Sequence, residues 1–350
     1  MPSQIDFGNE RLAKRNTFRA QTSFEGALTG NRDEATNLGI APMAARCVSC
    51  LAWNGRDLPY CCMMQSNETV IGVDLGGTKV ATGRVRNGEI EHRVKHDVPA
   101  HEDRDTVLSV VMDAIAEVMT SEVSGIGCGV PSVVDVTEGI VREVGNIPSW
   151  KAVPLKAEIE QRFGVPAAID NDANVFALGE FVFGAGKDHH HLVGITLGTG
   201  LGAGVIVDGR LLHGANCGVG ELGKTARKGM RLEDWCASTY FPREWNASAG
   251  ELHRRARHGD PHALEIFGHY GDELSEAIMR TLYVYDPQII VLGGSISTAF
   301  DLFGPRMRAG LEAFAYPHII DRVLLEPSRL EHAAVLGAAA LALQAKPTTD

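Results

Sequence analysis

From residue 69 onward the apolar positions fall into short runs separated by glycine-rich breaks, and between them lie segments of helical spacing. Residues 70–73, 80–85 and 89–96 predict strands, the last two joined by a hairpin turn at Arg86-Asn87-Gly88. Residues 105–121 carry Val107, Val110, Val111, Ile115, Val118 and Met119 at helical spacing. Strands are expected again at 125–130 and 133–136, followed by a loop over 145–150 and a short helix over 155–163. A buried strand at 166–169 runs into the polar segment Asp170-Asn171-Asp172-Ala173-Asn174 and then a helix over 175–183. Residues 192–197 predict a strand that opens into a glycine loop over 198–204, with a further strand at 205–207. Helices at 248–257 and 261–285, strands at 289–292 and 323–325, and a helix at 333–344 complete the pattern. That last segment is alanine-rich and apolar almost all round, which predicts a buried helix. Strand, turn and helix alternate throughout, so the fold class is α/β, with mixed sheets covered by helices.

Residues 1–66 break from this texture. They show no sustained alternation, and their helical periodicity is weak and interrupted by glycines and Pro42. The expectation is an extension that is disordered or lies upstream of a true start at Met63 or Met64. One segment, 32–55, has the rough layout of a helix-turn-helix, but its would-be recognition helix carries Cys47, Val48 and Cys50, with Arg46 as its one candidate DNA contact.

Composition narrows the function classes. A chain of 350 residues is long for one core, so two lobes are expected. The net charge of -11 argues against an extended nucleic-acid surface. No apolar run has membrane-spanning length and the first residues lack a signal-peptide layout, so no membrane partner and a cytoplasmic location are expected. Seven cysteines, an odd number in a chain expected to be cytoplasmic, predict free thiols, and the adjacent pair Cys61-Cys62 beside Cys47 and Cys50 suits tetrahedral zinc poorly. His189-His190-His191 is expected in a solvated loop.

The chemistry gathers at the strand ends. Asp74-Leu75-Gly76-Gly77-Thr78-Lys79 follows a buried strand, and its glycine N-H groups, Thr78 hydroxyl and Lys79 can form a phosphate nest. An ordinary turn with a charged rim has the same layout. Asp74 would repel a bare phosphate, which makes sense if hydrated Mg²⁺ sits between them. At 170–174, two carboxylates and two amides exceed what one helix cap needs, and suit a site that positions hydroxyls and removes a proton. Four alternating glycines at Gly198, Gly200, Gly202 and Gly204 predict close approach of a ligand. A third strand-to-glycine junction stands at Gly293-Gly294.

The order of these junctions resembles the ROK family of sugar kinases and repressors, within the superfamily of actin, hexokinase and heat-shock-chaperone ATPases. The likeness rests on 74–79, on Asn171-Asp172-Ala173-Asn174, on Leu197-Gly198-Thr199-Gly200-Leu201-Gly202, on Gly220-Glu221-Leu222-Gly223 and on Val291-Leu292-Gly293-Gly294. It implies a two-lobed actin-like ATPase fold, ribonuclease H-like, with a small lobe over 67–178 and 332–350 and a large lobe over 179–331. It further implies a glucokinase-like kinase that phosphorylates a hexose, glucose foremost, from ATP with Mg²⁺. Asp172 would be the catalytic base and Asp74 would hold Mg²⁺ through water. Gly76, Gly77, Thr78, Lys79, Gly198, Thr199, Gly200, Gly293 and Gly294 would hold ATP and its phosphates. Asn146, Asn171, Asp172, Glu221, Lys224 and Glu233 would hold the sugar.

Two departures stand out. Lys224 replaces the histidine that usually ends the family's sugar-binding turn, and Met230-Arg231 stands where its cysteine-rich zinc cluster would end, so structural zinc is not expected. The sugar's identity, the choice of ATP over polyphosphate and a homodimer stay open, and a sugar-responsive repressor using 32–55 is the alternative.

Overall fold

The computed structural model describes residues 67–344, which lie within one compact unit, Met63–Asp350. The helix-turn-helix expected at 32–55 and the four N-terminal cysteines lie outside the described residues.

The first half builds β1 (Thr69–Leu75), β2 (Lys79–Arg86), β3 (Glu89–Asp97), α1 (Arg104–Val118), β4 (Val123–Val130), β5 (Ser132–Asp135), β6 (Ile140–Val144), β7 (Ile147–Val153), α2 (Leu155–Phe163), β8 (Ala167–Asn171) and α3 (Asp172–Phe183). The second half builds β9 (Leu192–Leu197), β10 (Leu201–Val207), β11 (Arg210–Leu211), β12 (Ala226–Arg227), β13 (Met230–Arg231), α4 (Leu232–Cys236), α5 (Tyr240–Trp245) and α6 (Ala249–Arg257). It continues with α7 (Pro261–Tyr285), β14 (Ile289–Gly293), α8 (Phe300–Gly310), α9 (Pro317–Ile320), β15 (Leu324–Pro327) and α10 (Ala333–Gln344).

Two five-stranded sheets carry the architecture, ordered β3-β2-β1-β4-β8 and β11-β10-β9-β14-β15. They repeat one another: β1 pairs antiparallel with β2 across a glycine turn and parallel with β4, and β9 does the same with β10 and β14. One face of the first sheet buries Ile71, Val73, Ile126 and Ile169 against Val111 and Ile115 of α1 and Ile159 of α2. One face of the second buries Val193, Ile195, Ile290 and Leu292 with Tyr270, Leu274 and Ile278 of α7 and Phe303 of α8.

The inner faces are joined by two helices. A methyl on Gly72 or Gly127 would fall on the Val335 or Ala338 carbonyl of α10, and one on Gly204 on the Ala173 carbonyl of α3. A methyl on Gly337 would fall on the Val175 carbonyl, and one on Gly179 on that of Ala333. Sheet, α10, α3 and sheet therefore stack in sequence, and glycine at each crossing lets backbones approach closely. This explains why α10 is apolar almost all round and why α3 buries most of its length.

Three expectations need correction. Residues 147–150, read as loop, belong to β7, because Val144 pairs with Ile147 and only Gly145-Asn146 makes the turn of a hairpin in the antiparallel sheet β5-β6-β7. The glycine loop read over 198–204 is shorter: Leu201 already pairs with Leu197, leaving Gly198-Thr199-Gly200 as the turn. Helix α3 also starts three residues earlier than its apolar periodicity indicated, because Asn171 caps it. No helix among the described residues is long and apolar enough to cross a membrane.

Candidate active site

Each sheet presents a strand end to a shared cavity of about 390 Å³, lined by Asp74, Asp172, Phe176, Thr196, Gly294 and Ser297 among others. Asp74 arrives at the end of β1. Asp172 occupies the first turn of α3, directly after β8 ends.

The segment 170–174 is built as a polar scaffold. The Asn171 side chain accepts from the Ala173 and Asn174 backbone N-H groups at 2.9 and 3.3 Å and donates to the Ser132 carbonyl at 3.1 Å. Its amide is thereby committed to capping and to β5, which leaves it little for a sugar. Asp170 is 1% exposed and accepts from the Asn171 N-H, Asn174 Nδ2 and His213 Nε2 at 2.7, 2.8 and 2.7 Å. Asp172 Oδ1 accepts from the Ala173 N-H at 2.8 Å, so Oδ2 is the oxygen left to act.

Burial pushes the Asp172 carboxyl up to about 7, and the like charges of Asp74 and Glu221 add to the rise. Burial likewise raises Asp74 to about 6, opposed by the positive charge of Lys95 on β3. Two carboxyls so raised, facing one cavity, can take up a proton or share a divalent cation. Their hard oxygens fit Mg²⁺.

The glycines divide by purpose. In the first turn the Gly76 N-H donates to the Lys79 carbonyl at 2.8 Å, and a methyl on Gly77 would lie 2.8 Å from Asn146 Nδ2. The β6–β7 hairpin tip thus sits over that turn. Thr78 is exposed, and Lys79 pairs with Asp97 at 3.1 Å. In the second turn nothing lies within 4 Å of a methyl built on Gly198, Thr199 is exposed, and Gly200 faces Glu233 Oε2. Gly202 and Gly204, expected to admit a ligand, instead admit Ala173 and Ala177 of α3. Gly293 lies under the Phe176 ring, and Gly294, at φ 82, lies against the Leu197 carbonyl while lining the cavity.

On the expected sugar side, Glu221 is exposed in the short 3-10 turn Glu221–Lys224. Glu233, 8% exposed, receives both Lys224 Nζ and Arg231 Nη1 on Oε1, each at 2.8 Å. Cys236 donates its thiol to the Glu273 carbonyl, and burial pushes that thiol up to about 12.

Sequence reasoning missed His213, whose partner Asp170 lies 43 residues away and leaves no local signal, and also Lys95. The cavity wall from Ser297, Thr298, Ser328 and His332 was missed too. The glycine pair at 293–294 was the one hint that this wall follows a strand.

Residues 70–345 match the model of the ROK family. The glucokinase of Thermotoga maritima is 36% identical over 307 residues, covering 78% of this chain and 96% of that enzyme. The crystal structure of a ROK family glucokinase from Streptomyces griseus in complex with glucose and AMPPNP superposes with TM-score 0.69 at 27% identity, covering 79% of this chain and 99% of that one. A ROK family transcriptional regulator, a homolog of the E. coli MLC protein, superposes with TM-score 0.71 at 26% identity, over 80% of this chain and 78% of that one.

Proposed function

The chain belongs to the ROK family, and on that premise we propose that it is an ATP-dependent hexose kinase, with glucose phosphorylated at its C6 hydroxyl. The observation that carries the proposal is Asp172: a carboxylate held by its Oδ1 at a helix start, its Oδ2 without that bond, lining one cavity with Asp74 from the first sheet and Thr196 and Gly294 from the second.

Catalysis then follows from this chain's groups. The sugar hydroxyl loses its proton to Asp172 Oδ2 as it attacks the γ-phosphorus, and a positioned base of this kind is worth roughly 10²- to 10⁴-fold in rate. Asp170 and Asn171 hold the start of α3 still, so the base needs no reorganisation. Backbone N-H groups around Gly77 and Thr199-Gly200 receive the phosphates, and Ser297, Thr298 and Gly294 line the wall available to the nucleoside. Asp74 would hold Mg²⁺ through water, and the ion would neutralise charge on the phosphates during transfer. Glu233, Glu221 and Asn146 orient the sugar ring.

The alternative is a sugar-responsive transcriptional repressor, favoured by the superposition on a ROK regulator. A sensor needs the sugar pocket but neither a base raised to about 7 nor two glycine turns, which is why the kinase reading is preferred. The deciding experiment is Mg-ATP-dependent ADP release across a panel of hexoses and N-acetylhexosamines. Turnover on one sugar, collapsing in Asp172→Asn, supports the kinase. No turnover from the folded protein would overturn it.

A further inference from the structure

Glu233 is nearly buried, yet two cations converge on a single one of its oxygens. Lys224 Nζ and Arg231 Nη1 both lie 2.8 Å from Oε1, while Oε2 points at the second glycine turn, where a methyl on Gly200 would come within 3.1 Å. One cation would suffice to offset a buried carboxylate. Two on the same oxygen do something else: they anchor Oε1 and leave Oε2 facing the second glycine turn.

The two cations reach Glu233 from different elements. Lys224 comes from the end of the 3-10 turn that carries Glu221. Arg231 comes from β13 and also holds Asp234 through Nη2 at 2.9 Å, with its own N-H on Asp234 Oδ2 at 3.0 Å, so it is fixed at the head of α4. The β12–β13 hairpin behind it is itself held by charge. Arg227 and Lys228 pair with Glu273 of α7, and the Trp235 ring lies between Lys228 and Arg243 at 4.6 and 4.5 Å.

We propose that Lys224 and Arg231 are positioning residues that clamp Glu233 for sugar binding, an assignment that rests on the kinase-fold sugar site described above but not on phosphoryl transfer itself. The clamp makes sugar affinity depend on ion pairs. Both cations are more than half exposed at their side chains, so salt screens them. A hexose carries no charge, and its binding has no salt dependence of its own. Any salt dependence must come from the groups that hold the acceptor in place.

The test is sugar affinity by calorimetry without nucleotide, on the full chain, from about 0.05 to about 0.5 M NaCl, over which the Debye length shrinks from roughly 14 to roughly 4 Å. The sugar used is the best substrate of the panel or, if none turns over, the tightest binder. Wild-type affinity is expected to fall with salt. Arg231→Met and Lys224→Met are each expected to weaken sugar binding about tenfold at low salt and to flatten the salt dependence. Arg231→Lys should restore most of the affinity, and nucleotide affinity should stay unchanged throughout. Sugar affinity that is salt-independent, or Met variants that bind as the wild type does, would overturn the clamp. Equal loss of nucleotide and sugar binding would also overturn it, since that reports a collapsed lobe. Tight, salt-sensitive sugar binding without transfer would leave the clamp standing and remove the kinase; transfer with unchanged variants does the reverse. A panel in which no sugar binds at all overturns both.

Discussion

Replacing Asp172 with asparagine separates the cost of the base from its use. The side chain keeps its shape, and the new Oδ1 can still accept from the Ala173 N-H at 2.8 Å. What disappears is a carboxyl titrating near 7 where its ordinary value is 3.8. That is about 3 pH units at about 1.4 kcal/mol each, or about 4 kcal/mol, and water in the cleft reduces it to about 2 to 4 kcal/mol. The sign follows from where the proton sits. Below about pH 4 the carboxyl is protonated in both folded and unfolded chains, and folding carries no penalty from it. Between about 4 and 7 the unfolded chain ionises while the folded one resists, so wild-type stability declines with rising pH, and above about 7 the full penalty is present. Asp172→Asn should therefore be as stable as wild type near pH 4 and more stable by about 2 to 4 kcal/mol at pH 8, part of it from relieving Asp74. Urea unfolding at a series of pH values in EDTA measures this, and ADP release measures the matching loss of at least about 10²-fold in kcat. A stability difference that does not change with pH would refute the claim that burial and like charge raise this carboxyl. Undiminished turnover would refute its role as base.

The remaining predictions are read more directly. Gly337→Ala, whose methyl falls on the Val175 carbonyl, should lower stability by about 3 kcal/mol or more and shift the denaturant midpoint without touching any ligand group. Gly204→Ala should behave likewise against the Ala173 carbonyl. Gly198→Ala, with open space around the methyl, should leave stability within about 0.5 kcal/mol and raise the ATP KM about tenfold, because the methyl would fill space that a phosphate needs for close approach. With sugar varied, kcat/KM should fall on the acid side with an apparent value at or below about 7, lower as Mg²⁺ rises, because a bound cation favours the ionised pair. Deleting residues 1–63 should leave kcat unchanged; sequence-specific, salt-sensitive DNA binding lost on that deletion would instead support the repressor.

Elements were legible because periodicity is local. The runs at 70–73 and 192–197 and the helical spacing at 105–121 need only their neighbours to declare themselves, and all three reappear as β1, β9 and α1. Asp74 and Asp172 were legible for a related reason: a carboxylate at a strand end, beside glycine or a helix cap, stands out against an apolar run. Meaning was harder than position. Four glycines at 198–204 looked alike in the sequence, but Gly202 and Gly204 are small because α3 lies on them, whereas Gly198 faces open space. Asn171 looked like a sugar ligand, and its side chain also caps α3, while Lys79 is paired with Asp97. His213 reaches Asp170, and Arg231 joins Lys224 on Glu233, through contacts that no spacing encodes. The chain's local order thus determined which strands, helices and glycine turns exist and which carboxylates stand at their ends. Only the stacking of the two sheets through α10 and α3 decided which side chains meet across the cavity, because burial and charge act through space and reach residues that the sequence keeps far apart.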